Sequence, residues 1–320
     1  MNLKQVFGPV PSRRLGQSLG IDPVPLKTCN WNCVYCQLGR TRPYRIERRS
    51  NFSNLEILSQ VREALEKHKP GEIDWVTFVG SGETTLHSGL GEMIRGVKAM
   101  TDIPVAVITN GSLLYLPEVR EELRVADAVL PSLDAGDSTL YRRINRPHPS
   151  LIFDRLTDGL IAFREEYSGH FWLEVMLVRG LNDTEKALRD IANWIEKIHP
   201  DEVHVVQPDR PPAEDWVHPP DSEGLQRAHG ILGKVAKIIM PKDGSFDLSG
   251  SDDLIDAIVG IITRHPMKEA ELIESLGKWT PSDVRETLTL LLESGRAQTV
   301  TREGVHFWSA SEAYYAQGKR

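Results

Sequence analysis

The sequence predicts an α/β protein: a parallel sheet with helical crossovers, followed by a smaller, mostly helical unit. Two observations carry this. Short apolar runs alternate with longer amphipathic ones through the first 240 residues, the rhythm of consecutive βα units. That rhythm then stops at a turn-forming stretch, PKDGSFDLSG at 241–250, read as a linker between a core domain at 1–240 and a second domain at 251–320.

Strands are expected at 18–21, 74–79, 105–109, 126–130, 171–178 and 202–207, with helices near 55–68, 90–100, 118–123, 152–166 and 183–197. Asp183 reads as the N-cap of the last of these helices, with Thr184 and Glu185 in its first turn. Periodicity alone leaves an open doubly wound sheet and a partial barrel equally available. In either, ligands bind on the loops that follow the carboxyl ends of the strands. Beyond the linker, helical patterns at 254–263, 268–276 and 281–293 precede two short strands at 297–300 and 305–308. Pro281 takes a first-turn position. Three helices and a hairpin of this size suggest a winged helix.

The 320 residues carry a net charge of −7, which argues against a surface that coats nucleic acid. No apolar run is long enough to cross a bilayer, and the first residues lack a signal-peptide core, so a cytoplasmic location is expected. The three cysteines, Cys29, Cys33 and Cys36, lie within eight residues, and no others exist to pair with them. A secreted disulfide framework is excluded, and a metal is indicated. Structural zinc takes four ligands, so zinc here needs a remote fourth ligand. Three thiolates also suit a 4Fe–4S cluster with one iron left open.

The CxxxCxxC run, CNWNCVYC, with Tyr35 before the last cysteine, resembles the signature of the radical SAM (S-adenosylmethionine) superfamily. The resemblance implies a partial (β/α)6 TIM-like barrel, a 4Fe–4S cluster on Cys29, Cys33 and Cys36, and S-adenosylmethionine bound at the open iron. It also implies reductive cleavage to a 5′-deoxyadenosyl radical that abstracts hydrogen from a substrate, with an external electron donor of flavodoxin or ferredoxin type. The turn Gly80-Ser81-Gly82-Glu83-Thr84-Thr85-Leu86 resembles the family's GGE motif, which points to Gly82 and Glu83 for the methionine amino group. Thr84 stands where related sequences usually carry Pro. Asn110, Ser132 and Asp134 at later strand ends, and Asn182, are implied as neighbours of the cofactor or substrate. Each serves equally well as a helix cap or turn residue.

The segments GPVPSRRLG, TNGS, SLDA and QPDRPP are similar to a branch related to the wyosine-type tRNA synthases and the molybdenum- and nitrogenase-cofactor maturases. Those relatives use further cysteines for auxiliary clusters, and this chain has none to spare. Arg13, Arg14, Arg142, Arg146 and Arg210 concentrate guanidinium near the expected loops. They point to an anionic substrate, a nucleotide or tRNA among the options, unless they simply pair with surface acids. Residues 251–320 hold 8 Lys and Arg against 11 Asp and Glu, which disfavours DNA binding and suggests a protein partner. Two alternatives stand beside the enzyme acting on an anion. One is a radical SAM activase or maturase with a docked protein substrate; the other is a non-catalytic iron–sulfur or zinc redox regulator.

Overall fold

A computed structural model describes residues 4–240 and 253–316; the linker expected at 241–250 and the ends of the second domain lie outside them. The chain opens with an antiparallel pair, β1 (Val6–Ser12) and β2 (Gly16–Ile21). There follow β3 (Trp75–Phe78), β4 (Val105–Thr109), β5 (Ala128–Pro131), β6 (His170–Met176), β7 (Glu202–Val206) and β8 (Ala236–Ile238), each parallel to the one before. The eight strands stand side by side in sequence order. A doubly wound sheet reverses its strand order at a switch point. This one has no reversal, so that alternative falls.

The crossovers carry α1 (Asn54–Lys67), α2 (Leu90–Lys98), α3 (Pro117–Leu123), α4 (Ser138–Ile144), α5 (Phe153–Glu166), α6 (Glu185–Ile198) and α7 (Ser222–Leu232). Alternation along β6 shows why both faces of the sheet matter. Phe171, Leu173 and Val175 are fully buried in the main core, whereas Trp172, Glu174 and Met176 on the other face are half-buried. Leu15, at the β1–β2 turn, packs on that other face with Ala106, Ala128 and Leu130.

Helix α6 starts one residue later than expected. Its N-cap is Thr184, whose hydroxyl accepts from the Ala187 N–H. Asp183 is instead held by the Gly180 N–H at 2.7 Å. Elements α4, α7, β1 and β8 add to those the sequence predicted.

After the linker come α8 (Leu254–Arg264), α9 (Glu269–Ser275), α10 (Pro281–Glu293) and the hairpin β9 (Ala297–Arg302) and β10 (Val305–Ala310). Thr280 and Asp283 form a capping box at α10. The hairpin turns on Glu303 and Gly304, both at positive φ, the geometry of a two-residue I′ turn. These elements have their own apolar core, from Ile258 and Ile262 to Leu288 and Leu291. They also meet the first unit through a buried ion pair, Arg264 to Asp22 at 3.0 Å. Trp308 pairs with Met267 across the hairpin's edge, fixing β10 against the start of α9.

Candidate cluster and cofactor site

Every candidate residue after β2 except Arg142, which lies in α4, is on a loop that follows the carboxyl end of a strand. The loop after β2 runs to α1 without regular helix or strand, so its shape depends on contacts with other loops. The Glu83 N–H donates to the Thr28 carbonyl at 2.8 Å, and Lys27 N–H to that of Ser81 at 2.7 Å. The Val34 N–H donates to the Ile144 carbonyl at 2.9 Å, and the Glu214 N–H to that of Val34 at 3.1 Å. The C-terminal unit supplies a further wall: Arg40 N–H donates to the Tyr314 carbonyl at 2.6 Å, and the Tyr315 hydroxyl to the Gln37 carbonyl at 2.6 Å.

These ties gather the three thiols. Burial pushes Cys29 up to about 12, Glu83 and Cys36 adding to the rise and Lys27 opposing it. Cys33 is raised well above its ordinary value by burial, by Asp134 and by the other two cysteines. Left to themselves Cys29 and Cys33 hold their protons, and a bound metal would displace them. Among the described residues, no set of three His, Cys, Asp or Glu is arranged to hold a single ion. By their chemistry, three thiolates on one short loop suit a cluster, whose separate irons each take one thiolate, better than a lone structural zinc, which takes four ligands. Lys27 Nζ lies 3.2 Å from Cys36 Sγ and donates to the Gly39 carbonyl at 2.7 Å.

Behind the thiols, Gly82 has a structural reason to lack a side chain. A Cβ there would fall 2.1 Å from the Thr28 carbonyl oxygen, so the turn could not seat against the cysteine loop. Glu83 is buried and accepts four hydrogen bonds. Oε1 takes the Thr85 N–H at 3.0 Å, the Thr85 hydroxyl at 2.6 Å and the Thr109 hydroxyl at 2.5 Å; Oε2 takes the Asn110 N–H at 2.7 Å. Burial raises its pKa against those donors. Only Oε2 keeps open acceptor capacity. At Thr84 the hydroxyl donates to the Ile108 carbonyl at 2.9 Å, fastening the turn to β4.

The other candidates fall into two groups. Asn110, Tyr35 and Asp134 touch the cysteine loop. Asn110 Nδ2 donates to Asn30 Oδ1 at 2.7 Å and lies 3.9 Å from Cys29 Sγ. Asp134 accepts from the Tyr35 hydroxyl at 2.5 Å, from Asn145 Nδ2 at 2.6 Å and from the Met176 N–H at 2.8 Å. Burial raises the pKa of both Tyr35 and Asp134. Asn182 belongs to the second group: fully buried, it donates to the Asp134 and Met176 carbonyls and accepts from the Val178 N–H. Its side chain does the turn chemistry that the sequence left open. Ser132 is half-buried and bridges to Glu174 through the backbone.

The five arginines do not assemble into one patch. Arg13 pairs with Asp209 and Arg14 with Glu174, and burial lowers the Arg14 pKa to about 10. Arg210 donates to the Pro266 carbonyl at 2.9 Å, inside the contact with the C-terminal unit. Arg142 is exposed, without an ion pair among the described residues. Arg146 pairs with Glu214, which also holds Arg40. Of the five, only Arg146 lines the cavity of about 560 Å³ beside the cysteine loop; its companions are Arg143, Arg179, Gly180, Leu181 and Trp216. Arg179 and Trp216 were not singled out by the sequence. Arg179 directly precedes the turn read only for its asparagine, and an exposed tryptophan gives no periodic signal.

Residues 24–194 match the Radical SAM superfamily, and the chain belongs to it. It is an enzyme of that superfamily, whose members use a 4Fe–4S cluster and S-adenosylmethionine and need an external electron donor. At closer range it belongs with the UPF0026 proteins: it is 37% identical to one from Methanocaldococcus jannaschii, over 85% of this chain and 86% of that one. It is 34% identical to another from Helicobacter pylori, over 85% and 88%. A relative from Brachyspira hyodysenteriae named GTPase Obg is 38% identical over 95% of this chain, but the match spans only 45% of that protein. Among solved structures, a radical SAM methyltransferase from Sphaerobacter thermophilus superposes with a TM-score of 0.53 at 17% identity, covering 69% of this chain and 65% of that one. That likeness concerns the fold.

Proposed function

We propose that this protein reductively cleaves S-adenosylmethionine at a single 4Fe–4S cluster and directs the resulting radical at an anionic substrate. The observation that carries this is the placing of Cys29, Cys33 and Cys36 on one loop, each sulfur within 4 Å of a side-chain nitrogen of Asn110, Asn145 or Lys27, backed by the hydrogen-bonded turn at Gly82 and Glu83. The three cysteines would hold the cluster, leaving one iron for S-adenosylmethionine. When bound, the cluster supplies the electron that breaks the sulfonium bond and yields a 5′-deoxyadenosyl radical. Glu83 Oε2 would accept from the methionine ammonium. Asn110, Ser132 and the Tyr35–Asp134 pair would line the adenosyl side, and Asn182 would hold the Asp134 backbone in place. Lys27 would donate to the Cys36 thiolate and steady it.

In this reading the strands of residues 1–240 form a partial (β/α)6 barrel. Residues 251–320 form a winged helix, a docking module rather than a DNA reader, and the electron donor is a flavodoxin or ferredoxin in the cytoplasm. No described helix is long and apolar enough to cross a membrane. A second reading keeps the chemistry but makes the substrate a protein. It draws support from Leu290 and Leu292, which stand exposed on α10.

The test is anaerobic reconstitution followed by reduction in the presence of S-adenosylmethionine. Formation of 5′-deoxyadenosine, lost in Cys33→Ser together with cluster iron, is expected. A reconstituted protein that neither cleaves S-adenosylmethionine nor changes its EPR signal on adding it would refute the enzymatic mechanism.

A further inference from the structure

The cavity beside the cysteine loop has a composition that specifies more than an anion. Its walls come from three successive loops: Arg143 and Arg146 from the end of α4 onward, Arg179 to Leu181 after β6, and Trp216 after β7. The same loops hold the cysteine segment. Asn145 Nδ2 lies 3.7 Å from Cys33 Sγ, Pro147 bridges to Trp31, and Glu214 reaches Val34. The cavity therefore borders the loops that hold the cysteine segment.

The charge is unbalanced. Glu214 is shared between Arg146 and Arg40, while Arg143 and Arg179 are exposed and have no ion pair among the described residues. Two free guanidiniums and a half-neutralised third, in a chain of net charge −7, suit a phosphate dianion held by forked hydrogen bonds. They suit S-adenosylmethionine poorly, because its sulfonium is a cation. Trp216 adds a second requirement. It is 45% exposed within the cavity wall, an apolar ring face that gains from stacking on a flat partner. About 560 Å³ is room for both parts at once.

We propose that Arg143, Arg146 and Arg179 bind the phosphate of a nucleotide whose base stacks on Trp216, and that this nucleotide is the substrate. The site assignment rests on the radical mechanism above only in calling the ligand a substrate.

Binding is measured by calorimetry on the full chain, anaerobically, with four probes: nucleoside 5′-monophosphates, ribose 5-phosphate, inorganic phosphate and a short single-stranded RNA. Monophosphates or the RNA should bind at least tenfold more tightly than ribose 5-phosphate. Preference for the monophosphates identifies a free nucleotide, and binding of the RNA alone identifies a nucleotide within a strand. Arg143→Gln with Arg179→Gln should weaken that binding tenfold or more. Trp216→Ala should erase the advantage over ribose 5-phosphate, and Trp216→Phe should retain most of it. All these side chains are exposed, so the variants should melt like the parent. Equal binding of ribose 5-phosphate and nucleotides, or a double variant that loses affinity for S-adenosylmethionine instead, overturns the assignment. Formation of 5′-deoxyadenosine without added nucleotide tests the radical mechanism separately, so the two can fail independently.

Discussion

Glu83 illustrates what one residue does before any ligand is considered. Its carboxylate joins the turn after β3 to the end of β4 through Thr85, Thr109 and Asn110. Glu83→Ala would leave those buried donors without an acceptor. A loss of roughly 1–3 kcal/mol in urea unfolding is expected, together with lower iron retention because Asn110 also faces Cys29. Glu83→Gln should recover part of the stability, its amide oxygen still accepting while its amide nitrogen clashes with one donor set. The sequence exposed Glu83 and the cysteines because their motif is local. It could not show that Gly82 is small for the sake of the Thr28 carbonyl, since that contact joins loops from two different strands. Nor could it show that Arg13 and Arg14 already have partners in Asp209 and Glu174, well over a hundred residues away in sequence.

Among the elements, α6 gives a clean test of capping. Thr184→Ala should cost about 1 kcal/mol of stability by thermal or chemical denaturation, and Thr184→Ser should cost much less. Asp183 and Thr184 are both good caps, so composition alone could not choose between them; the left-handed Gly180 decides it by drawing Asp183 into the preceding turn. Strand β1 escaped notice for a related reason. Gly8, Pro9 and Pro11 read as loop, and proline is tolerated here because β1 is an edge strand whose outer side needs no donor. Helix α4 has only seven residues, with Arg142 and Arg143 in its last turn, too short a run for a helical period to show. Strand β4 and helix α10 match their expected bounds, 105–109 and 281–293.

For the whole molecule, the contact between the two units centres on Arg264 and Asp22, each 4% exposed as side chains. Asp22 also accepts from the Ser81 N–H and hydroxyl, so the ion pair reaches the turn that carries Glu83. Arg264→Ala strands a buried carboxylate, and a loss of roughly 3–5 kcal/mol is expected in denaturant unfolding. Arg264→Met combined with Asp22→Leu should lose much less. Acid should weaken the fold through histidines held neutral. His87 is fully buried, its Nδ1 accepting from the Gly89 N–H while Nε2 donates to the Phe52 carbonyl. Burial lowers its pKa below 6.5, and that of His265 further. The unfolded chain therefore binds more protons as pH falls below 6.5, so this stability is intact above 6.5 and is lost toward the lower folded values. Melting temperature should drop between about pH 7.5 and about pH 5.5, and His87→Gln should flatten the slope.

The hydrogen bond from Tyr315 to the Gln37 carbonyl joins positions 278 residues apart. Its consequence concerns synthesis. A ribosome adding about 5–20 residues per second delivers Tyr315 tens of seconds after Gln37 has emerged. Throughout that interval the segment carrying Cys33 and Cys36 lacks one of its walls, and its thiols are open to oxidants and to any iron donor alike. Order of manufacture thus sets a window in which the metal site is unfinished, and it closes only when the second unit folds back over the first.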